Sequence, residues 1–332
     1  MQRRIVLLVL ISASVIFYGC SSDKPLKISK ESNGVTIEIE TVAGELGRGK
    51  CTKLMKEAAN VFDQRMSLGF AENSIIKKLN TEREVSDLPE EMTEFFEHID
   101  QLRQRTNKAW YPATGKIHEL WESLSGDLTE PALEDISIAC EQALNTGIEL
   151  PGGGKAILQG SGNLALDYVL LGWSVDGAAE FLMKENIPGA FIKAGDVYRF
   201  WGQPTLDSLW TFRIKAFPDT SIYELTPEAG GICSIINYKT STDYKDTLSL
   251  NIYNPQTGFP AQNGLSSLTA WAPDAISACV YAEAMNVMSR VDMLLWANKY
   301  DSVSVFIIHD DYEGAVAESD NSMSPWVSMY LP

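Results

Sequence analysis

Apolar and polar residues alternate strictly over residues 35–41 (Val-Thr-Ile-Glu-Ile-Glu-Thr), which predicts a strand with one buried face. The spacing then changes. Over residues 50–66 the apolar positions Leu54, Ala58, Val61 and Phe62 recur at helical intervals, and over 89–106 Met92, Phe95, Phe96, Ile99 and Leu102 form one stripe beneath an acidic face. Further helices are expected at 131–144, 175–185 and 274–289, and further strands at 156–159, 189–193, 210–217, 248–253, 265–271 and 302–309. Several strand pairs are separated by too few residues for a crossover helix. The pattern therefore predicts an α+β (mixed α/β) fold and excludes a doubly wound parallel sheet. No repeat of fixed period and no break between units is visible, so a single compact fold of two intimate lobes is expected over 33–332.

The first residues change the picture from a plain globular chain. Arg3 and Arg4 precede an apolar run from Ile5 to Phe17, followed by Tyr18-Gly19-Cys20-Ser21-Ser22-Asp23. A basic start, an apolar stretch shorter than the roughly 20 residues of a spanning helix, and a small residue before Cys read as a lipoprotein signal peptide over 1–19. Cleavage would leave Cys20 as an acylated N-terminus that anchors the chain durably in a bilayer. Polar residues and Pro25 then predict a tether over 20–32. The expected location is the periplasmic or other extracytoplasmic face of a bacterial membrane.

Charge narrows the partners. The chain carries a formal −17, which becomes −19 once Arg3 and Arg4 leave with the signal peptide, and so acidic a protein is a poor match for nucleic acid. Four cysteines remain after Cys20, at Cys51, Cys140, Cys233 and Cys279. They show no CxxC and no metal-ligand spacing; export permits disulfides, yet the spacings indicate no pairs, and small buried hydrophobes are the simpler reading. His98, His118 and His309 are accompanied by no G-x-S-x-G or other nucleophile motif, so a hydrolase is not indicated.

One segment stands apart for its turn chemistry. Asn251-Ile-Tyr-Asn254-Pro255-Gln256-Thr257-Gly258-Phe259-Pro260 places two prolines and a glycine between strand-like stretches, and residues 272–284 follow as Ala-Pro-Asp-Ala-Ile-Ser-Ala-Cys-Val-Tyr-Ala-Glu-Ala. Together they resemble the C-terminal signature of the ApbE-type FAD:protein FMN transferases, worded H-I-x-D-P-x-T-G-x-P and then A-x-x-A-x-x-A-D-A-x-x-T. Four more segments fit that family in order, so the resemblance spans roughly residues 33–310. They begin with Asn73 to Asn80, then Thr106 to Trp121, which contains Ala109-Trp110-Tyr111-Pro112. Leu164 to Asp176 follows, and last come Ile192 to Asp196 with Trp210 to Pro218.

The resemblance implies a reaction in which FAD and Mg²⁺ are held together, FMN passes to a Thr or Ser of an acceptor protein with an FMN-binding domain, and AMP leaves. It places Ala109, Trp110, Gly172, Thr257 and Gly258 at the cofactor. The family's working groups are replaced here. Asn251 stands for its His, Asn254 and Cys279 for Asp residues, Glu283 for Thr, Ala165 and Tyr111 for Asp residues, Asp167 and Tyr168 for two glycines, and Leu171 for a charged residue. Cys279 is too soft for Mg²⁺, which leaves Glu283, one helical turn away on the same face, and Asp274 as metal candidates. Asp274 also suits an N-cap behind Pro273, and Asp176 suits the positive end of a helix beginning near Gly172. Two functions stay open: a flavin transferase with an altered metal site, and a non-catalytic lipoprotein of the same fold that binds a flavin, a nucleotide or a partner protein.

Overall fold

The structure is a computed structural model that describes residues 25–107, 109–124, 130–204, 208–215, 222–236, 252–261, 263–311 and 314–330. The expected signal peptide, Cys20, Asn251 and most of the strand expected at 248–253 lie outside those residues.

In chain order the elements are β1 (Leu26–Ser32), β2 (Val35–Thr41), α1 (Arg48–Phe70), α2 (Ile75–Glu82), β3 (Glu84–Val85), α3 (Glu90–Arg105), α4 (Gly115–Glu122), α5 (Leu133–Leu144), β4 (Gly147–Gly152) and β5 (Lys155–Gln159). After them come α6 (Asp167–Lys184), β6 (Ala190–Ala194), β7 (Val197–Trp201), β8 (Phe212–Lys215), β9 (Ile222–Leu225), β10 (Gly230–Ile236), β11 (Leu265–Ala272), α7 (Ala275–Asn286), α8 (Arg290–Ala297), β12 (Ser304–Asp311), β13 (Gly314–Ser319) and β14 (Val327–Tyr330).

Eight strands form one sheet in the order β1-β2-β6-β7-β10-β11-β12-β13, each pair antiparallel. Both faces are covered, and the strand residues sort accordingly. Cys233, Ile235, Val305 and Ile307 join the core beneath α1, α6 and α7, while their neighbours Ile232, Phe306 and Ile308 join an aromatic cluster with Trp210, Phe212 and Tyr223 of the β14-β9-β8 sheet. A central strand buried on both sides shows no apolar–polar alternation, which is why 302–309 reads as one apolar run. The mixed α+β class holds, with three layers stacked through the large sheet.

The predicted stripe of α3 is buried at every position. Four expectations need correction. Residues 26–32 are not tether: they pair along their whole length with β2 through a hairpin at Asn33-Gly34, both with positive φ, and Leu26 and Ile28 rest against the core. The helix expected at 175–185 begins eight residues earlier, because every residue from Tyr168 to Ala179 is buried and no exposed face marks its period. Asp176 consequently lies inside α6 and not at its start. The helix expected over 274–289 stops at Asn286, and Ser289 then caps α8 by accepting a hydrogen bond from the Asp292 N–H.

Candidate functional site

Short loops and one tight turn bring the motif residues together. In the turn, Asn254 and Phe259 close the strand ends through a 2.9 Å backbone bond, Gly258 N–H donates to the Asn254 carbonyl at 2.7 Å, and Tyr253 bridges Pro260. The Asn254 side-chain oxygen accepts from the Gln256 N–H at 2.9 Å, a task that any Asx oxygen performs. Gly258 has φ +72°, and a Cβ there would sit 2.6 Å from Ile136 and 2.8 Å from the Cys140 sulfur of α5. Its carbonyl takes the Trp121 indole N–H at 2.8 Å. Thr257 is exposed at the apex. The turn is thereby docked on α4 and α5, with Tyr253, Trp121 and Phe259 in ring contact. His118 packs edge-on against Tyr253, and burial lowers its pKa to about 4, so its imidazole is neutral.

The second assembly is the crossing of α6 and α7. Gly172 lets the helices approach: a Cβ there would lie 2.9 Å from both the Ala275 carbonyl oxygen and the Cys279 sulfur. What fills the space beside this glycine is protein. Asp176 lies close by and caps α7 from a neighbouring helix, its two oxygens accepting from the Ala275 and Ile276 N–H groups at 3.0 and 2.8 Å. Arg199 of β7 faces it at 3.2 Å. Burial and the charge of Asp274 push its pKa up to about 7, against Arg199 and the two N–H donors. Asp274 itself is the N-cap, its carboxylate accepting from the Ser277 N–H at 2.8 Å.

Beneath this crossing lies a pocket of groups that are scattered along the sequence. The Trp110 indole N–H donates to Glu283 at 2.5 Å, linking residues 173 positions apart. Trp110 is only 3% exposed, so its ring serves as core and offers no open stacking face. Burial pushes the pKa of Glu283 up to about 8; the Trp110 bond acts downward and the charge of Asp167 upward. Asp167, at the start of α6, is itself raised by burial. Tyr168 is buried, and its hydroxyl is held protonated chiefly by burial. Asp196, in the β6–β7 hairpin, is raised by burial and partly restored by Lys193. Among the described residues no group of three or more His, Cys, Asp or Glu is arranged to hold a metal ion.

Sequence reasoning singles out Trp110 and Glu283 separately, the one for the cofactor and the other for metal, and misses that they bind each other. It also leaves Cys233 unplaced. Ala109 is part-buried against the main core beside Trp110, while Gly258 rests against Ile136 and Cys140 of α5 and Thr257 stays exposed. The structure therefore puts Ala109, Trp110 and Glu283 together and holds Gly172 against Ala275 and Cys279 of α7, but it leaves Asp274 at the N-terminus of α7, about 13 Å along the helix from Glu283, and sets the turn residues apart on α4 and α5.

Residues 33–307 match the family described as the ApbE family. The chain belongs to the ApbE family. Its fold agrees with solved members: a flavin transferase ApbE from Vibrio cholerae (TM-score 0.75, 18% identity, 91% of this chain and 99% of that one) and an apo flavinyl transferase ApbE from Pseudomonas stutzeri (0.74, 18%, 91% and 96%). An ApbE protein from Thermotoga maritima gives 0.73 at 19% identity, covering 91% and 99%. No curated protein matches the chain. At such identities the likeness establishes the fold.

The ApbE ligands can be set against these residues. A Mg²⁺ site needs ionised, open oxygen donors. Glu283 is engaged by Trp110, with its pKa pushed up to about 8 by burial, Asp274 is engaged as a cap, and Cys279 is a fully buried thiol. A flavin diphosphate needs close backbone approach, yet Tyr168 stands at one ApbE glycine and Gly172 is closed by α7. Among the described residues, the side chains at these positions do not fit Mg²⁺, while membership of the ApbE family implies FAD as the ligand.

Proposed function

We propose that this protein is a non-catalytic member of its family: a lipoprotein anchored through acylated Cys20 on the extracytoplasmic face of a membrane, keeping the transferase scaffold for binding and no longer transferring FMN. The observation that carries this reading is the Trp110–Glu283 pair, which uses the stacking ring and the remaining metal candidate to satisfy each other. The retained turn, the α7 cap and the Gly172 crossing are all devices that shape the fold.

The alternative, Mg²⁺-dependent FMN transfer from FAD to an acceptor protein, has one observation in its favour. Glu283 feels the charge of Asp167, and a divalent cation near both would draw Glu283 into the ionised state.

Incubating residues 21–332 with FAD, Mg²⁺ and an FMN-acceptor domain separates the two readings. The expected result is no AMP and no covalent flavin on the acceptor, under conditions where an ApbE enzyme with the full signature is active. Turnover abolished by Glu283→Gln would establish the alternative. The anchor is tested by incorporation of labelled palmitate, expected in the wild type and absent from Cys20→Ser.

A further inference from the structure

Basic residues are unevenly spread over this acidic chain. Residues 47–56 hold Arg48, Lys50, Lys53 and Lys56 and no acid, in a protein of formal charge −17. All four are exposed along the first turns of α1. Cations at the positive end of a helix work against its dipole, so helix stability does not account for them. Gly47 and Gly49 stand among them with nothing within 4 Å of where a Cβ would be, which leaves the surface between the charges open. Glu45 precedes the patch, and Glu57 marks its far margin, 3.7 Å from Lys53.

The path of the chain decides where this patch lies. Leu26, the first residue of β1, is in register with Thr41 of β2, and Thr41 with Ala190 of β6. From Thr41 the chain turns through Gly44–Leu46 directly into α1. Farther on, the Lys30 ammonium of β1 donates to Asn60 and Asp63 at 3.0 Å, so α1 runs beside β1 with its start at the Leu26 end. From Cys20 to Pro25 the chain has five residue steps, which reach at most about 18 Å. A lipid on Cys20 therefore keeps the start of β1, and the patch beside it, close to the headgroups. The β6–β7 hairpin with Asp196 lies at the opposite end of the same strands, and the 23 residues of α1 span about 34 Å from the patch towards α2.

We propose that Arg48, Lys50, Lys53 and Lys56 form a docking face for anionic phospholipid headgroups, which stands the anchored protein with the start of α1 on the bilayer and the β6–β7 hairpin held away from it. This rests on the acylated Cys20 of the proposed function. The occupant is a lipid surface for two reasons: a short stretch of chain ties the patch to the anchor, and the patch carries the charge that such a surface attracts. The rest of the protein is acidic and is repelled by the same surface, which confines the contact to this end and gives the molecule one orientation.

The test uses the full chain, extracted from membranes of cells that export it and reconstituted in vesicles of phosphatidylcholine, alone or mixed with phosphatidylglycerol. Brief lysine acetylation, read by peptide mass spectrometry, should modify Lys50, Lys53 and Lys56 about fivefold more slowly in the anionic vesicles, with Lys77 and Lys78 of α2 unchanged. Salt at about 1 M, where the screening length is about 3 Å, should abolish the difference. Lys53→Glu combined with Lys56→Glu, both on the surface, should remove the protection of Lys50. Equal rates in the two vesicles, or equal slowing of Lys77 and Lys78, would overturn the proposal. So would protection in native membranes that anionic vesicles fail to reproduce, which would assign the patch to an acidic protein partner. The mass of the Cys20 peptide keeps the two readings apart: an acylated chain without protection sinks the docking face alone, whereas an unmodified Cys20 removes anchor and docking face together.

Discussion

The Asn254–Pro260 turn and the α6–α7 crossing both carry parts of one family signature, and they have kept different things. In the turn the letters changed and the geometry did not: Asn254 still supplies the side-chain oxygen, and Gly258 still fits between Ile136 and Cys140. At the crossing the geometry is kept by Gly172 and Asp176, but the groups beside it are Tyr168, Cys279 and Glu283, and burial raises the pKa of each, with Glu283 bonded to Trp110. A backbone-shaping residue is held by the fold whatever the chemistry becomes. A charged ligand residue is held only by its ligand, and without one its burial is costly.

The largest effect is expected from Asp176→Ala, which strips two α7 N–H groups and Arg199 of their partner at once. A loss of about 3–5 kcal/mol is expected in urea unfolding, and a loss under 1 kcal/mol would remove the crossing as a structural keystone. Gly172→Val should follow at about 3 kcal/mol, since the new side chain meets the Ala275 carbonyl and Cys279. Gly258→Ala combines left-handed strain with contact on Ile136 and should cost about 2 kcal/mol in urea unfolding, loosening the turn and the Trp121 indole bonded to its carbonyl. If Gly258→Ala disturbs the crossing as much as Gly172→Val does, the two regions are not separable. Trp110→Phe, which keeps the ring and removes the donor to Glu283, is expected to be mildest, at about 1 kcal/mol.

Much of the fold is legible in the order of residues alone. α3 announces itself because only one face is buried, and the turn because Pro255, Gly258 and Pro260 restrict the backbone in ways few other residues do. α6 hides its start because it is buried all round, so its sequence has no polar side to mark the period. β1 reads as tether because an edge strand needs few apolar residues when backbone pairing to β2 holds it. The site is half legible. Replacements such as Tyr168 and Cys279 can be counted along the chain, but the encounter of Trp110 with Glu283 depends on how α7 lies across the sheet. Local sequence pattern carries no record of that contact.

The central claim is that the interior of this site is closed by a neutral carboxyl group, and the most direct measurement is the protonation of Glu283 itself. Its folded pKa of about 8 lies above the ordinary 4.5, so the native state holds a proton that the unfolded chain has released between those values. Stability from this group is therefore fullest below about pH 4.5 and falls as pH rises towards 8, with Asp176 contributing in the same direction up to about 7. Infrared difference spectra of the wild type and Glu283→Gln isolate the carboxyl C=O stretch. The band should be present at pH 7, vanish with a midpoint near pH 8, and be unaffected by added Mg²⁺. A Glu283 that is already ionised at pH 6, or that loses its proton when Mg²⁺ is added at pH 7, would contradict the account and restore a metal-dependent site.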